Sequence, residues 1–149
     1  MTKKLIALLL LILLAVVPAY AEETDETLLD KVIRISEDGE ELLTLDEEEL
    51  MDVVGIDPES YTDFAYLAGR DTSQGRELIV LLATDSETAE QVVKSLENYL
   101  GLRLRSTQNY YPEAYRALND AEVMRQDLLV VLSIGAPDPR EPELLLQGE

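Results

Sequence analysis

From Leu5 to Val17 every position is apolar, and no later stretch of the chain holds so long a run. Lys3 and Lys4 precede it, and Pro18-Ala19-Tyr20-Ala21 closes it on the small-x-small pattern that signal peptidase reads, with Ala19 and Ala21 at the small positions and Glu22 first after the cut. Thirteen apolar residues are too few for a spanning helix, which needs about 20. Residues 1–21 are therefore predicted to be a cleaved secretory leader.

Beyond the leader the apolar positions change period several times. Thr24 to Ile35 places Leu28, Leu29, Val32 and Ile33 at helical spacing, with acids early and Lys31 and Arg34 late, as the helix dipole favours. Ser36 to Glu41 is a turn around Gly39, and Leu42-Leu43 a short strand or extended connector. Thr44 with Glu47 forms a capping-box pattern ahead of Leu50, Met51, Val53 and Val54, a helix that Gly55 ends with a left-handed cap and onto which Ile56 folds back. Asp57-Pro58-Glu59 marks a turn or a single helical turn.

Tyr61 to Ala68 alternates and is predicted to be a strand; after a polar loop from Gly69 to Gly75, Glu77 to Ala83 holds the unbroken run Leu78 to Leu82, which suits a central strand covered on both faces or one at a well-buried position. Thr84 with Glu87 forms a second capping-box pattern, and Ala89, Val92, Val93, Leu96, Tyr99 and Leu100 then mark the longest helix, ending near Gly101 or prolonged through Arg105. Pro112 starts a short helix to Leu118, Glu122 to Gln126 pairs through a turn at Gln126-Asp127 with the strand Leu128 to Ile134, and the tail with Pro137, Pro139 and Pro142 has the composition of a mobile segment. Helices between two hairpins predict an α+β fold: an antiparallel sheet of about four strands covered on one face by helices. The organisation is a leader at 1–21, one domain at 22–135 and a flexible acidic tail at 136–149.

Composition narrows the chemistry. With 31 acidic against 12 basic residues the chain carries a formal charge of −19, which becomes −21 once Lys3 and Lys4 leave with the leader. Such a field repels phosphate backbones and anionic headgroups, so neither nucleic acid nor, after cleavage, a membrane is the expected partner. Seventeen of the acids fall between Glu22 and Asp63, where the usual role of such runs is a solvated face. The chain contains no histidine, cysteine or tryptophan, which removes histidine triads, thiol catalysis, His/Cys zinc sites, disulfides and a lipoprotein cysteine. No Gly-rich phosphate loop is present, and no cofactor is expected.

The remaining candidates are few. Two acidic groups could offer oxygen ligands to a hard cation such as calcium, Glu37 to Glu41 and the trio Asp57, Glu59 and Asp63, although neither has EF-hand spacing. Asp71 to Gly75 is a fainter echo of such a loop. A carboxylate-based hydrolase needs only two suitably separated acids, a criterion that 31 acids satisfy trivially. Tyr99 lies on the apolar stripe and is predicted to pack in the core, whereas Tyr110 and Tyr111 beside Pro112 are candidates for partial exposure, capping the core edge or forming an interaction surface together with Asp57, Glu59 and Asp63.

Leu50-Met51-Asp52-Val53-Val54-Gly55-Ile56-Asp57-Pro58-Glu59, the apolar strand Leu78 to Ala83 leading to Ala89, Tyr111-Pro112-Glu113 with Tyr115 and Leu118, and the closing apolar strand together resemble the domain of unknown function 4358 family of small exported bacterial proteins. The resemblance covers roughly Thr44 to Gly135 and implies a fold, with no site residues to carry over. Many members look like lipoproteins, whereas Ala21-Glu22 stands here without a cysteine and points to free release. Members often place a glycine turn before the last strand, where this chain has Arg125-Gln126-Asp127. The expected function is that of a non-catalytic extracytoplasmic module binding an exported or cell-envelope partner, the alternative being an acidic cation-binding domain or carboxylate hydrolase.

Overall fold

The apolar run Leu78 to Ala83 forms the middle of a sheet. In the computed structural model, which describes residues 26–148, strand β3 (Glu77–Ala83) is flanked on both sides by antiparallel partners, and all its residues but Leu82 are buried. The predicted leader with Ala19, Ala21 and Glu22, and the predicted helix start at Thr24, lie outside the described residues. The sheet has five strands in the order β1-β2-β3-β5-β4, with β1 at Leu43–Leu45, β2 at Tyr61–Ala68, β4 at Val123–Gln126 and β5 at Leu129–Ile134. The fold is α+β, as the alternation of hairpins and helices predicts. The fifth strand is β1, whose three residues are too few to show a period of two in the sequence.

Because side chains alternate across a strand, the central strands feed two cores. Tyr66, Ile79, Leu81, Val130, Leu132 and Ile134 face one layer, formed by α3 (Ser86–Thr107), α4 (Pro112–Asp120) and α2, a helical turn at Glu47–Glu49 that continues as a π-helix at Leu50–Val54. Ala65, Leu67, Leu78, Val80 and Val131 face the other, formed by α1 (Leu28–Ile35) and α5 (Glu141–Gln147). Helices therefore cover both faces of the sheet, not one.

The tail is not the mobile segment that its composition predicts. The charged and proline-rich segment after Gly135 is ordered as α5: Pro142 sits in its first turn, where a missing N–H costs nothing, and Leu145 is buried in the second core. The apolar triplet Leu144-Leu145-Leu146 is what the composition of the segment concealed.

Both capping boxes move. Thr44 pairs into β1, so the first helix start shifts to Asp46, whose carboxylate accepts from the Glu49 N–H while the Glu49 side chain accepts from the Asp46 N–H. At α3 the cap is Asp85 and not Thr84, its carboxylate accepting from the Thr88 N–H at 2.8 Å. The long helix also runs through Gly101 to Thr107, since Leu104 keeps packing against the first core. Gly55 does adopt the left-handed cap conformation at φ 78°, and Ile56 beyond it is buried. The second hairpin turns at Asp127-Leu128, one residue later than predicted: Gln126 pairs with Leu129, and Asp127 takes φ 53°.

Candidate functional site

Arg76 and Glu77 are neighbours at the entry of β3, so the sheet sends their side chains to opposite faces, and each charge becomes the centre of a buried polar cluster. Glu77, buried in the first layer, accepts hydrogen bonds from the Tyr66 hydroxyl at 2.6 Å, the Tyr99 hydroxyl at 2.5 Å and the Arg103 guanidinium at 2.9 Å, and that guanidinium also lies over the Tyr99 ring. Burial, reinforced by the Glu77 charge, raises both phenols; Tyr99, where Arg103 works in the opposite direction, is pushed up to about 12. On the other face Arg76 donates to Asp38 at 2.9 and 2.7 Å and to Glu141 at 2.7 and 3.2 Å, while the hydroxyls of Ser36 and Ser133 donate to the same Glu141 carboxylate. Burial opposes the Asp38 charge, yet the bonds and charge of Arg76 outweigh it and hold this carboxyl below its ordinary range. Among the described residues no buried side-chain nitrogen or oxygen lacks a partner. Each of the two buried carboxylates is thus paired within the protein, Glu77 with Tyr66, Tyr99 and Arg103, and Glu141 with Arg76, Ser36 and Ser133.

Two concavities flank α4. At its N-terminal end the polypeptide leaves α3 with the N–H groups of Tyr110 and Tyr111 both donating to the Thr107 carbonyl, and Pro112 opens the new helix. This bend turns the two tyrosines outward: Tyr110 is 77 % and Tyr111 48 % exposed. The core-edge role is thereby excluded for Tyr110, whereas Tyr99, at 4 %, packs inside as predicted. The β2–β3 loop forms the opposite bank. Asp71 accepts from the N–H and hydroxyl of Ser73, and Gly75, at φ 72°, lies so close to α4 that a Cβ there would stand 2.8 Å from the Ala114 Cα. Only glycine allows the loop this approach. The result is a groove of about 420 Å³ between Ser73 and the segment Tyr110 to Glu113, with Arg116 at its side.

At the other end of α4 a cleft of about 350 Å³ runs between the helix, the close of β5 and the tail. Its walls include Ala117, Met124 and Pro142 as apolar surface and Asp120, Glu122 and Glu143 as acids, and among the described residues no lysine or arginine lines it. It is a cleft lined by both acidic and apolar side chains.

Three of the candidate acids of the N-terminal third, Asp38, Asp57 and Asp63, have structural duties. The Asp57 carboxylate caps the turn at Pro58–Ser60 by accepting from the Glu59 N–H, and Asp63 accepts from the N–H groups of Leu28 and Phe64, pinning the start of α1 to β2. Asp38 is held by Arg76, an internal cation in place of a calcium ion. Among the described residues no three acidic side chains gather closely enough to hold one metal ion. Of the residues singled out in the sequence, Tyr110 and Tyr111 line the groove, and Asp57, Glu59 and Asp63 do not line it. The Arg76 and Glu77 clusters escape a reading of periodicity, and their one trace in the sequence is a pair of opposite charges directly before an unbroken apolar strand.

The family model described as Domain of unknown function (DUF4358) matches residues 36–135, a span that holds the whole sheet, α2, α3, α4 and both concavities apart from the tail wall of the acidic cleft. No curated protein and no solved structure matches the chain.

Proposed function

Because the chain belongs to the domain of unknown function 4358 family, whose definition names no activity, we propose from the chemistry of its surface that the mature protein is an exported, non-catalytic module binding another exported or cell-envelope protein through the groove at Tyr110 and Tyr111. The observation that carries this is the pair of adjacent tyrosines turned into solvent on a backbone held by Thr107. Tyrosine and arginine are the residue types enriched at the energetic centres of interfaces, and here Arg116 stands in the same groove. Support for a non-catalytic role comes from the absence of histidine and cysteine and from the pairing of both buried carboxylates with groups of the protein itself. Support for export comes from the leader pattern at residues 1–21.

A photocrosslinking residue at position 110 tests the assignment in cells that export the protein, with the same residue at Lys94, exposed on α3, as control. A discrete adduct at 110 and none at 94 is expected. The Tyr110→Ala/Tyr111→Ala double variant, crosslinked from Glu113, is expected to lose the adduct while keeping its stability within about 1 kcal/mol, since surface changes cost little. Equal adducts at both positions, or none, would remove the groove from consideration.

The acidic cleft favours a second reading, in which the protein takes an organic cation such as a lysine side chain of a partner. Its apolar lining at Ala117, Met124 and Pro142 suits the methylene stem of such a group and Asp120, Glu122 and Glu143 its charge. Titration calorimetry with a lysine-rich peptide at low salt is expected to give heat that Asp120→Asn/Glu122→Gln abolishes. An unchanged isotherm would exclude the cleft.

A further inference from the structure

In a chain with 31 acidic against 12 basic residues, a cation without a carboxylate partner calls for a reason. Arg34, Arg76, Arg103, Arg125 and Arg140 each hold an acid in an ion pair. Among the described residues Lys31, Arg70, Lys94, Arg105 and Arg116 hold none, and the three arginines of this group belong to the tyrosine groove or to the segments that form it. Arg116 lines the groove, Arg70 lies in the β2–β3 loop that makes its opposite bank, and Arg105 lies in the last turn of α3, just before the bend at Thr107; all three are exposed. The charge along the chain changes at the same place. Residues 98–112 contain no acid, the longest such stretch after the predicted leader, and they end on Tyr110, Tyr111 and Pro112. The acids nearest the groove are engaged locally: Asp71 accepts from the N–H and hydroxyl of Ser73, and Glu113 stands in the first turn of α4, where the helix dipole favours a negative charge. At about 0.15 M salt the Debye length is about 8 Å, so acids elsewhere on the molecule are screened from a ligand in the groove and the nearby arginines set its preference.

We propose that the occupant of the groove is an acidic segment of the protein partner, its carboxylates meeting Arg116 and Arg70 and its apolar side chains lying against Tyr110 and Tyr111. This rests on the reading of the groove as a protein-binding site and adds the sign of the partner's charge, which is the reverse of what the net charge of the chain favours. A guanidinium matches a carboxylate through two parallel N–H···O bonds, a geometry that gives direction as well as attraction. The tyrosines add an apolar ring face and a hydroxyl at its tip. Apart from Glu113 the lining of the groove has no charged acceptor of its own. An anionic phosphate polymer would satisfy the arginines but leave the ring faces unused, so a segment in which aspartate or glutamate adjoins apolar residues fits the whole groove better.

The test uses the full mature chain and two short fluorescent peptides, one alternating glutamate with leucine and one alternating glutamine with leucine, compared by polarisation at low and at physiological salt. The glutamate peptide is expected to bind at least tenfold more tightly than the glutamine peptide, with an advantage that shrinks as salt rises. Arg116→Glu is expected to abolish that advantage and Arg116→Lys to keep part of it, while the glutamine peptide binds all three proteins alike, which shows that the variants remain folded. Equal binding of the two peptides to the parent protein, or an advantage that survives Arg116→Glu, would overturn the proposal. So would competition by inorganic polyphosphate as strong as that of unlabelled glutamate peptide at equal charge, since the arginines would then select an anion of any kind. The Tyr110→Ala/Tyr111→Ala variant separates this proposal from the reading beneath it. If it weakens both peptides while glutamate and glutamine bind equally, the groove binds protein and only the acidic preference falls; if it weakens neither, the groove itself falls, and the proposal with it.

Discussion

Single residues carry two of the sharpest energetic features of this protein. Tyr99 is neutral in the fold and donates to a buried carboxylate, so Tyr99→Phe removes one charge-assisted bond and is expected to cost about 1.5–3 kcal/mol. Its raised ionisation also fixes the direction of a pH effect. A phenol harder to ionise in the folded than in the unfolded chain contributes stability in full below about pH 10, and that stability is lost as pH rises toward about 12. Urea denaturation at pH 9, 10.5 and 11.5 is expected to show a fall that is shallower in Tyr99→Phe than in the parent protein. Gly101 offers the opposite case, a helix-interior glycine with no packing reason to be one: a Cβ there would meet only the Arg105 guanidinium at an ordinary 3.7 Å. Gly101→Ala is expected to stabilise by about 0.5–1 kcal/mol, read as a raised denaturation midpoint at unchanged slope.

At the scale of elements, the hairpin of β4 and β5 is held by a turn that works against its own residue. Asp127 adopts a left-handed φ of 53°, which costs a residue with a Cβ roughly 1–2 kcal/mol, part of it recovered because aspartate tolerates this region better than most. Asp127→Gly is therefore expected to gain about 0.5 kcal/mol in thermal unfolding after the larger entropy loss of glycine is counted. The elements themselves were legible to different degrees. Tyr61 to Ala68 and Glu77 to Ala83 have the bounds that alternation and the unbroken run predict, because a strand buried on known faces writes its period into the residue types. Two helix starts lie one or two residues beyond the capping patterns of the sequence, since Thr44 and Asp46, or Thr84 and Asp85, are equally good caps locally and the neighbouring strand decides between them. The tail helix was invisible because only docking against a preformed sheet face makes burial of Leu145 available to a segment too short to be helical alone.

The whole molecule combines an ordinary two-layered core with a large negative charge. Its self-repulsion is long-range and screenable, so melting temperature is expected to rise steadily as sodium chloride increases from about 0.01 M to 0.5 M, over which the Debye length falls from about 30 Å to a few ångströms. A flat dependence would mean that the acids are locally compensated. Lowering the pH acts differently. Asp38, held below its ordinary range by Arg76, contributes stability above about pH 4 that is lost as pH falls through its folded value. Asp38→Asn is expected to make acid unfolding less steep.

By itself the sequence determined the α+β class, the central buried strand, the long helix, the Gly55 cap, the inward packing of Tyr99 and the excluded chemistries, because periods of apolar residues, obligatory backbone geometry and missing residue types are all local facts. The pair Tyr110-Tyr111 was recognisable as a surface candidate for the same reason, as aromatic residues at a proline break. Only the tertiary structure decided that the tail is a docked helix, that helices cover both faces of the sheet, that Arg76 and Glu77 anchor separate buried clusters, and that Gly75 brings the β2–β3 loop against Ala114 of α4, across the groove from the tyrosines. Each of these depends on groups far apart in the chain, as Arg76 is from Glu141, and a charge whose partner stands 65 residues away leaves no periodic trace of the meeting.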